Sequence, residues 1–293
     1  MSVIVDPVAF SQTLIRCPSV TPAEGGALTT LKTQLEDLGF TGHLVSFSEE
    51  GTPDVENLYA RIGTGGRNFC FAGHTDVVPV GDAGAWDDDP FAAVIRDGVL
   101  YGRGAADMKA AIAAFTAATS GFLADNPGFD ESISYLITGD EEGPSVNGTV
   151  KLLKWADDRG EKFDLCVVGE PTNPNDLGDM IKIGRRGSMN SYITVHGTQG
   201  HIAYPHLADN PIPRLVRMLD ALISEPLDDG NEHFDASSLQ ISTVDVGNPT
   251  TNIIPSRASA VFNIRFNDMH SSASLIKWCR EKLDAVGGKY DFR

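Results

Sequence analysis

Residues 163–169 read Phe-Asp-Leu-Cys-Val-Val-Gly, a nearly continuous apolar run that stops at Glu170-Pro171. An apolar run this short, closed by Gly and Pro, is the signature of a strand buried on both faces. Two other runs share its character. Asn68–Gly73 leads straight into His74, and residues 131–138 lead into Gly139-Asp140-Glu141-Glu142-Gly143. Helical spacing covers residues 6–16, 24–38, 107–124 and 145–158, with Gly39 placed to stop the second helix. Further strands are expected at 43–48 and 57–62, and a hairpin turns at Asp97-Gly98. Strands alternating with helices predict an α/β fold whose central mixed sheet is covered by helices on both faces.

The rhythm changes near residue 187. Strand 188–196 is followed by helix 210–224, strands 238–247 and 258–266, and helix 271–286. That β-α-β-β-α order lacks one strand of a split βαβ, or ferredoxin-like, α+β unit. Tyr290-Asp291-Phe292-Arg293 begins that strand and ends the sequence. Two domains are therefore expected, 1–186 and 187–293, the second cut inside its last strand.

Forty acidic residues against 23 basic ones leave a net charge of −17, which repels phosphate. Nucleic acids and anionic membranes are thereby excluded as partners. The apolar stretch Ala110–Ala118 is far shorter than a membrane span. The start MSVIVDPVAF has no basic n-region, so no signal peptide is expected. Cys17, Cys70, Cys166 and Cys279 are scattered and form no CxxC pair. They read as buried thiols of a reducing, cytoplasmic compartment.

The chemistry gathers where strands end: His74-Thr75-Asp76, the turn Gly102–Asp107, Glu141-Glu142, and Glu170. Ligand sites of open α/β sheets lie beyond the carboxyl ends of strands, so these four places can converge. One imidazole with four carboxylates does not make a serine or cysteine hydrolase. It suits divalent metals, since zinc accepts nitrogen and carboxylate oxygen and two ions can share a bridging carboxylate. Clustered carboxylates without cations would repel one another. In His74-x-Asp76 the aspartate can accept the proton of the imidazole nitrogen that faces away from a metal. Taken singly, each feature has a plainer reading: a local His–Asp hydrogen bond, a solvated Glu141-Glu142 loop, a capping Glu170. Gly102-x-Gly104 does not open a dinucleotide loop, because the sixth position is Asp107, which would repel a pyrophosphate.

The segments Gly73–Asp76, Tyr101–Lys109, Asp140–Gly143 and Gly169–Pro171 resemble those of the dinuclear zinc amidohydrolases, a family of aminoacylases, zinc carboxypeptidases and deacetylases. The segments Gly184–Ser188, Gly197–Pro205 and Thr251–Pro255 are similar to its succinyl-diaminopimelate desuccinylase branch. The likeness runs from about residue 5 to residue 293. It implies a zinc-exopeptidase-like catalytic domain and a lid domain that pairs two subunits into a homodimer. It implies two Zn2+ ions per subunit, with Co2+ an alternative in one site. His74 and Glu170 would bind one metal, Asp107 would bridge, and Glu142 would bind the second. Glu141 would be general base and then acid, Asp76 would orient His74, and the Asp107–Met108 peptide would be cis. His201 would reach in from the partner's lid to meet the oxyanion.

The same likeness implies hydrolysis of a succinyl amide on the way to lysine and cell-wall precursors. A substrate rich in carboxylates needs local positive charge on so acidic a protein, and Arg185 and Arg265 are the candidates. Ser188, Tyr204 and Asn252 would add neutral hydrogen bonds. One departure from the family pattern stands out. The second metal ordinarily receives a histidine from a later C-terminal segment, and this sequence has none after His270. On that ground the catalytic domain is expected to be incomplete. Three readings remain open: a desuccinylase, a sibling such as an acetylornithine deacetylase or zinc peptidase, and an inactive protein using the fold for binding.

Overall fold

The computed structural model describes residues 4–293. The chain divides into two compact units, Met1–Met180 and Ile181–Arg293. The division falls a few residues ahead of the change in sequence rhythm. Residues 181–186 side with the second unit, where Arg186 donates to the Ala236 carbonyl at 3.1 Å.

The first unit holds α1 (Pro7–Ile15), α2 (Ala27–Asp37), β1 (Thr41–Phe47), β2 (Val55–Ile62) and β3 (Asn68–His74). A small hairpin of β4 (Val94–Arg96) and β5 (Val99–Tyr101) follows, then α3 (Ala110–Asp125), β6 (Ser132–Thr138), α4 (Thr149–Asp157) and β7 (Leu165–Val168). Local chemistry sets these bounds. Asp6 caps α1 by accepting from the amides of Val8 and Ala9, and Pro7 occupies the first helical position. Helix α2 ends at Gly39 (φ +92°), with the Phe40 amide returning to the Leu35 carbonyl and the Gly39 amide to Glu36. That double closure is the Schellman arrangement, which satisfies carbonyls the helix leaves open.

The central sheet has the order β1-β2-β6-β3-β7. β1, β2 and β6 pair antiparallel, whereas β6, β3 and β7 run parallel. All seven residues of β6 are buried, as expected of a strand covered on both sides. The apolar run of β7 is not, contrary to the sequence expectation: it is the edge strand of the sheet, and Leu165, Val167 and Val168 are exposed. The odd-numbered Ile133, Tyr135 and Ile137 of β6 pack with α1–α3 side chains such as Leu14, Leu31 and Ile112. Leu136 turns to the opposite face and meets Leu152 and Trp155 of α4. The period of two along one strand thus builds both cores. Of the cysteines, Cys70 and Cys279 are buried as thiols. Cys166 is exposed on β7, in register with Cys70 on the neighbouring strand, which corrects the expectation of four scattered, buried thiols.

The second unit contains β8 (Gly187–His196), β9 (Gly200–His201), α5 (Pro211–Ile223), β10 (Ser238–Asp245), β11 (Ile253–Ile254), β12 (Arg257–Phe266), α6 (Ser272–Val286) and β13 (Tyr290–Phe292). Its main sheet has the order β10-β12-β8-β13 and is antiparallel throughout. With α5 and α6 this is the split βαβ order, and residues 290–292 fill the position of its last strand. Inward residues of β8 and β12, such as Ile193, Val195, Phe262 and Ile264, bury against Leu215, Leu219 and Leu283 of the helices. The pair β9–β11 is a separate two-residue ribbon.

Candidate metal centre

Because β6, β3 and β7 are adjacent and parallel, their carboxyl ends open on one edge of the sheet. His74 ends β3, Glu141 and Glu142 follow β6, and Glu170 follows β7. Asp107 arrives from the Gly102–Lys109 turn. There the expected helix start proves wrong: Asp107 is extended (φ −126°, ψ 98°), and α3 begins only at Ala110. The Asp107–Met108 peptide is cis. The extended backbone sends the Asp107 carboxylate to His74, with Oδ1 3.0 Å from Nε2. Met108 is buried between β3 and β7, where two glycines make its room. A Cβ on Gly73 would lie 2.4 Å from the Met108 methyl, and one on Gly169 would lie 2.8 Å from it. The Met108 sulfur accepts from the His74 amide at 3.3 Å.

Two sets of side chains could share an ion: His74 with Asp107 and Glu170, and His74 with Glu141 and Glu142. Glu170 Oε1 lies 3.5 Å from His74 Nε2. The tautomer of His74 follows from its partners. Nδ1 is 2.9 Å from the Asp76 carbonyl oxygen, which can only accept, so Nδ1 carries the proton. The lone pair of neutral Nε2 then faces a carboxylate oxygen at hydrogen-bond distance. Two acceptors in such contact require a cation between them, proton or metal.

The electrostatics agree. Burial alone would lower the His74 pKa, but hydrogen bonds and charge from Asp76, with the Glu170 carboxylate beyond, outweigh it and raise it to about 9. Burial and the charges of Asp107, Glu141 and Asp76 push the Glu142 carboxyl above its ordinary value, against the opposing pull of His74. The donor set, one imidazole and several carboxylates, fits a divalent metal such as zinc.

Asp76 faces His74 twice, through its backbone carbonyl at 2.9 Å from Nδ1 and through its carboxylate, with Oδ1 at 3.6 Å. The carboxylate has a second task. Its oxygens accept from the backbone amides of Glu141 at 3.2 Å and Glu142 at 3.0 Å. Sequence reasoning also passed over Asp140, a neighbour of the candidate ligands that is only 2% exposed. Its signal was present in the Asp-Glu-Glu-Gly run, but nothing in that run marks which acid turns inward.

The remaining candidates sit on the second unit in two groups. Pairing of His201 with Ile253 across the ribbon brings Asn252 beside Ile202, whose amide donates to the Asn252 carbonyl at 3.0 Å. The His201 and Tyr204 rings lie 5.7 Å apart. The Ala203 amide donates to His201 Nδ1 at 3.1 Å, so the neutral ring keeps its proton on Nε2. In the main sheet Ser188 is directly opposite Arg265, and the Ser188 hydroxyl accepts from Asn263 at 3.1 Å. Arg185 is exposed. A cavity of about 350 Å³ lined by Phe69, Phe115 and Phe129 lies at the amino ends of β3 and β6. It is thus at the opposite ends of these strands from His74 and Thr138, and it takes no part in the centre.

The sequence profile of Peptidase family M20/M25/M40 matches residues 70–289. A succinyl-diaminopimelate desuccinylase of Parvibaculum lavamentivorans is 61% identical over 292 residues, covering 98% of this chain and 73% of that protein. One from Rhodospirillum centenum is 59% identical over 286 residues, covering 98% and 74%. Among solved structures, an M20 family metallo-carboxypeptidase of Sulfolobus solfataricus superposes with a TM-score of 0.72 at 18% identity, covering 98% of this chain and 78% of that one. A dinuclear metal-binding M20 peptidase of Bacillus subtilis gives 0.64 at 16% identity, covering 98% and 72%. At such identity these two likenesses speak for the fold.

Proposed function

The chain belongs to Peptidase family M20/M25/M40, and from that premise we propose that it is a metal-dependent amidohydrolase that cleaves N-succinyl-LL-2,6-diaminopimelate into succinate and LL-2,6-diaminopimelate. The observation that carries the chemistry is the convergence of His74, Asp107, Glu141, Glu142 and Glu170 on one sheet edge. The substrate comes from the relatives at about 60% identity, which carry the desuccinylase name.

His74, Asp107 and Glu170 would hold one divalent ion. Asp107 and Glu142 would hold the second. Zinc is the proposed metal, with cobalt an alternative in one site. Bound there, the ions would supply Lewis acidity toward the amide carbonyl and toward water. Glu141 takes the proton from the attacking water and later delivers it to the leaving amine nitrogen. His201, whose Nε2–H is free to donate because Nδ1 is engaged by Ala203, meets the oxygen on which charge develops. Arg185 and Arg265 bind substrate carboxylates, and Ser188, Tyr204 and Asn252 add hydrogen bonds. In this reading the first unit, Met1–Met180, is the catalytic domain. Ile181–Arg293 is the lid through which two subunits pair, so that His201 serves the partner's site. The free thiols and the biosynthetic substrate favour the cytoplasm. In the structure, among the described residues, no helix is long and apolar enough to cross a membrane.

The test is a substrate comparison with the Zn2+- or Co2+-supplemented protein. Succinyl-diaminopimelate should be turned over at least about 100-fold more efficiently than acetylornithine or dipeptides, a gap of roughly 2.7 kcal/mol in transition-state binding. Comparable turnover of acetylornithine sinks the substrate assignment. Absence of bound metal after supplementation would sink catalysis by this chain.

A further inference from the structure

Two buried carboxylates in the first unit hold backbone amides of the loop that carries Glu141 and Glu142. Asp76 is 1% exposed and Asp140 is 2% exposed. Asp76 accepts from the amides of Glu141 and Glu142. Asp140 accepts from the amides of Ser145 at 3.1 Å and Asn147 at 2.8 Å. The first carboxylate grips the loop at its two glutamates, and the second closes the loop's return. Behind them lies a buried polar chain. The Asp140 amide donates to the Thr138 hydroxyl, which donates to Asn57 Oδ1 at 2.8 Å. The Asn57 amide group donates to the Asn147 carbonyl at 2.9 Å, and that of Asn147 donates to the Pro53 carbonyl at 2.7 Å.

We infer that Asp140, acting with Asp76 and the Asn57–Thr138–Asn147 chain, is a positioning residue that fixes where Glu141 and Glu142 stand. The inference rests on the reading of those glutamates as base and metal ligand. Three facts carry it. An acid is required chemically, because both Asp140 oxygens face N–H donors and a carboxylate can only accept. An asparagine would turn its own N–H2 toward one of those amides. Second, the loop is built around this side chain. A Cβ on Gly143 would fall 2.5 Å from Asp140 Oδ1, and one on Gly148 would fall 2.5 Å from the Thr138 hydroxyl. Third, Asp140 immediately precedes the pair, so a shift in its backbone moves Glu141 directly. A fully satisfied buried network of this kind rigidifies what it encloses, and fixed geometry is what a metal site needs from its supporting shell.

Hydrogen–deuterium exchange of the metal-free chain tests the clamp without recourse to activity. In Asp140→Asn, the amides of residues 139–147 should exchange at least tenfold faster, while protected peptides elsewhere stay within twofold of the parent. A Co2+ titration followed by visible absorption should show the weaker binding step loosened at least tenfold and the tighter step within twofold. Leu152→Ala, a destabilising change behind the same sheet, should leave both Co2+ steps within twofold. Should Asp140→Asn fail to fold, Thr138→Val removes one link and should speed exchange about threefold in the same peptide. Exchange within twofold of the parent in residues 139–147 overturns the inference. So does a Co2+ effect that Leu152→Ala reproduces. The exchange result stands apart from the hydrolase reading, which the metal and substrate measurements decide.

Discussion

The two units hold their chemical groups in opposite ways. In the first, His74 is 1% exposed, and the backbone around the candidate ligands Glu141 and Glu142 is tied by buried acceptors. In the second, Tyr204 is 56% exposed, and it stands with His201 and Asn252 on or beside a ribbon only two residues long. The difference follows from what each group faces. Side chains that must keep several charges at a set spacing need a rigid surround, because repulsion pushes them apart. The second group is proposed to meet a flexible, many-carboxylate substrate, and for that task an open mounting is an advantage, since elements that move come from the less tightly packed parts of a fold.

This contrast can be broken by mutation. The largest effect is expected at Glu141. Glu141→Gln should lower kcat by roughly 10³-fold, the range for removing a general base, with melting temperature unchanged because the side chain is exposed and metal content unchanged because the ions are assigned to His74, Asp107, Glu142 and Glu170. Activity within tenfold of the parent would remove Glu141 from the reaction. Next is His201→Asn, where the amide oxygen can still accept from Ala203 while the Nε2–H donor is lost. It should cost about 100-fold in kcat/KM, the scale of one oxyanion donor, and leave thermal unfolding unchanged. A cooperative loss of stability instead would show that the ribbon is as integral to its unit as His74 is to the first. The smallest effect is expected for Arg265→Ala, roughly a tenfold rise in KM at nearly constant kcat, about 1.4 kcal/mol of binding. A fall in kcat with KM unchanged would move Arg265 from substrate binding to the chemical step.

Much of this was legible in the sequence because periodicity reports burial. The all-buried β6 announces a covered sheet, and the strand ends announce the site, whereas the apolar run before Glu170 misleads, because β7 lies at the sheet edge with all four of its residues exposed. What escaped was written in the main chain. No side-chain pattern reveals that Asp76 would hold His74 through its carbonyl while lending its carboxylate to two amides. Asp140 reads as one more acid in a solvated run until the backbone folds around it. The β9–β11 ribbon is too short to have a period. Cys70 and Cys166 are 96 residues apart in number (166 − 70) yet opposite one another in space, since neighbouring parallel strands bring together residues that no local spacing can pair.

The two glycines that admit Met108 carry a consequence for how this centre can change. Gly73 precedes His74, Gly169 precedes Glu170, and Met108 follows Asp107, so every residue of the cradle is chain neighbour to a candidate ligand. The first candidate set, His74 with Asp107 and Glu170, is therefore registered by one methionine side chain lodged between two strands. A larger residue at 73 has room only if the one at 108 shrinks, and one at 169 only if Phe71, whose ring would lie 2.6 Å from its Cβ, gives way as well. Positions 71, 73, 108 and 169 thus form a single heritable unit: drift or selection for a wider site must alter them together, and libraries that vary one at a time would sample mostly broken centres.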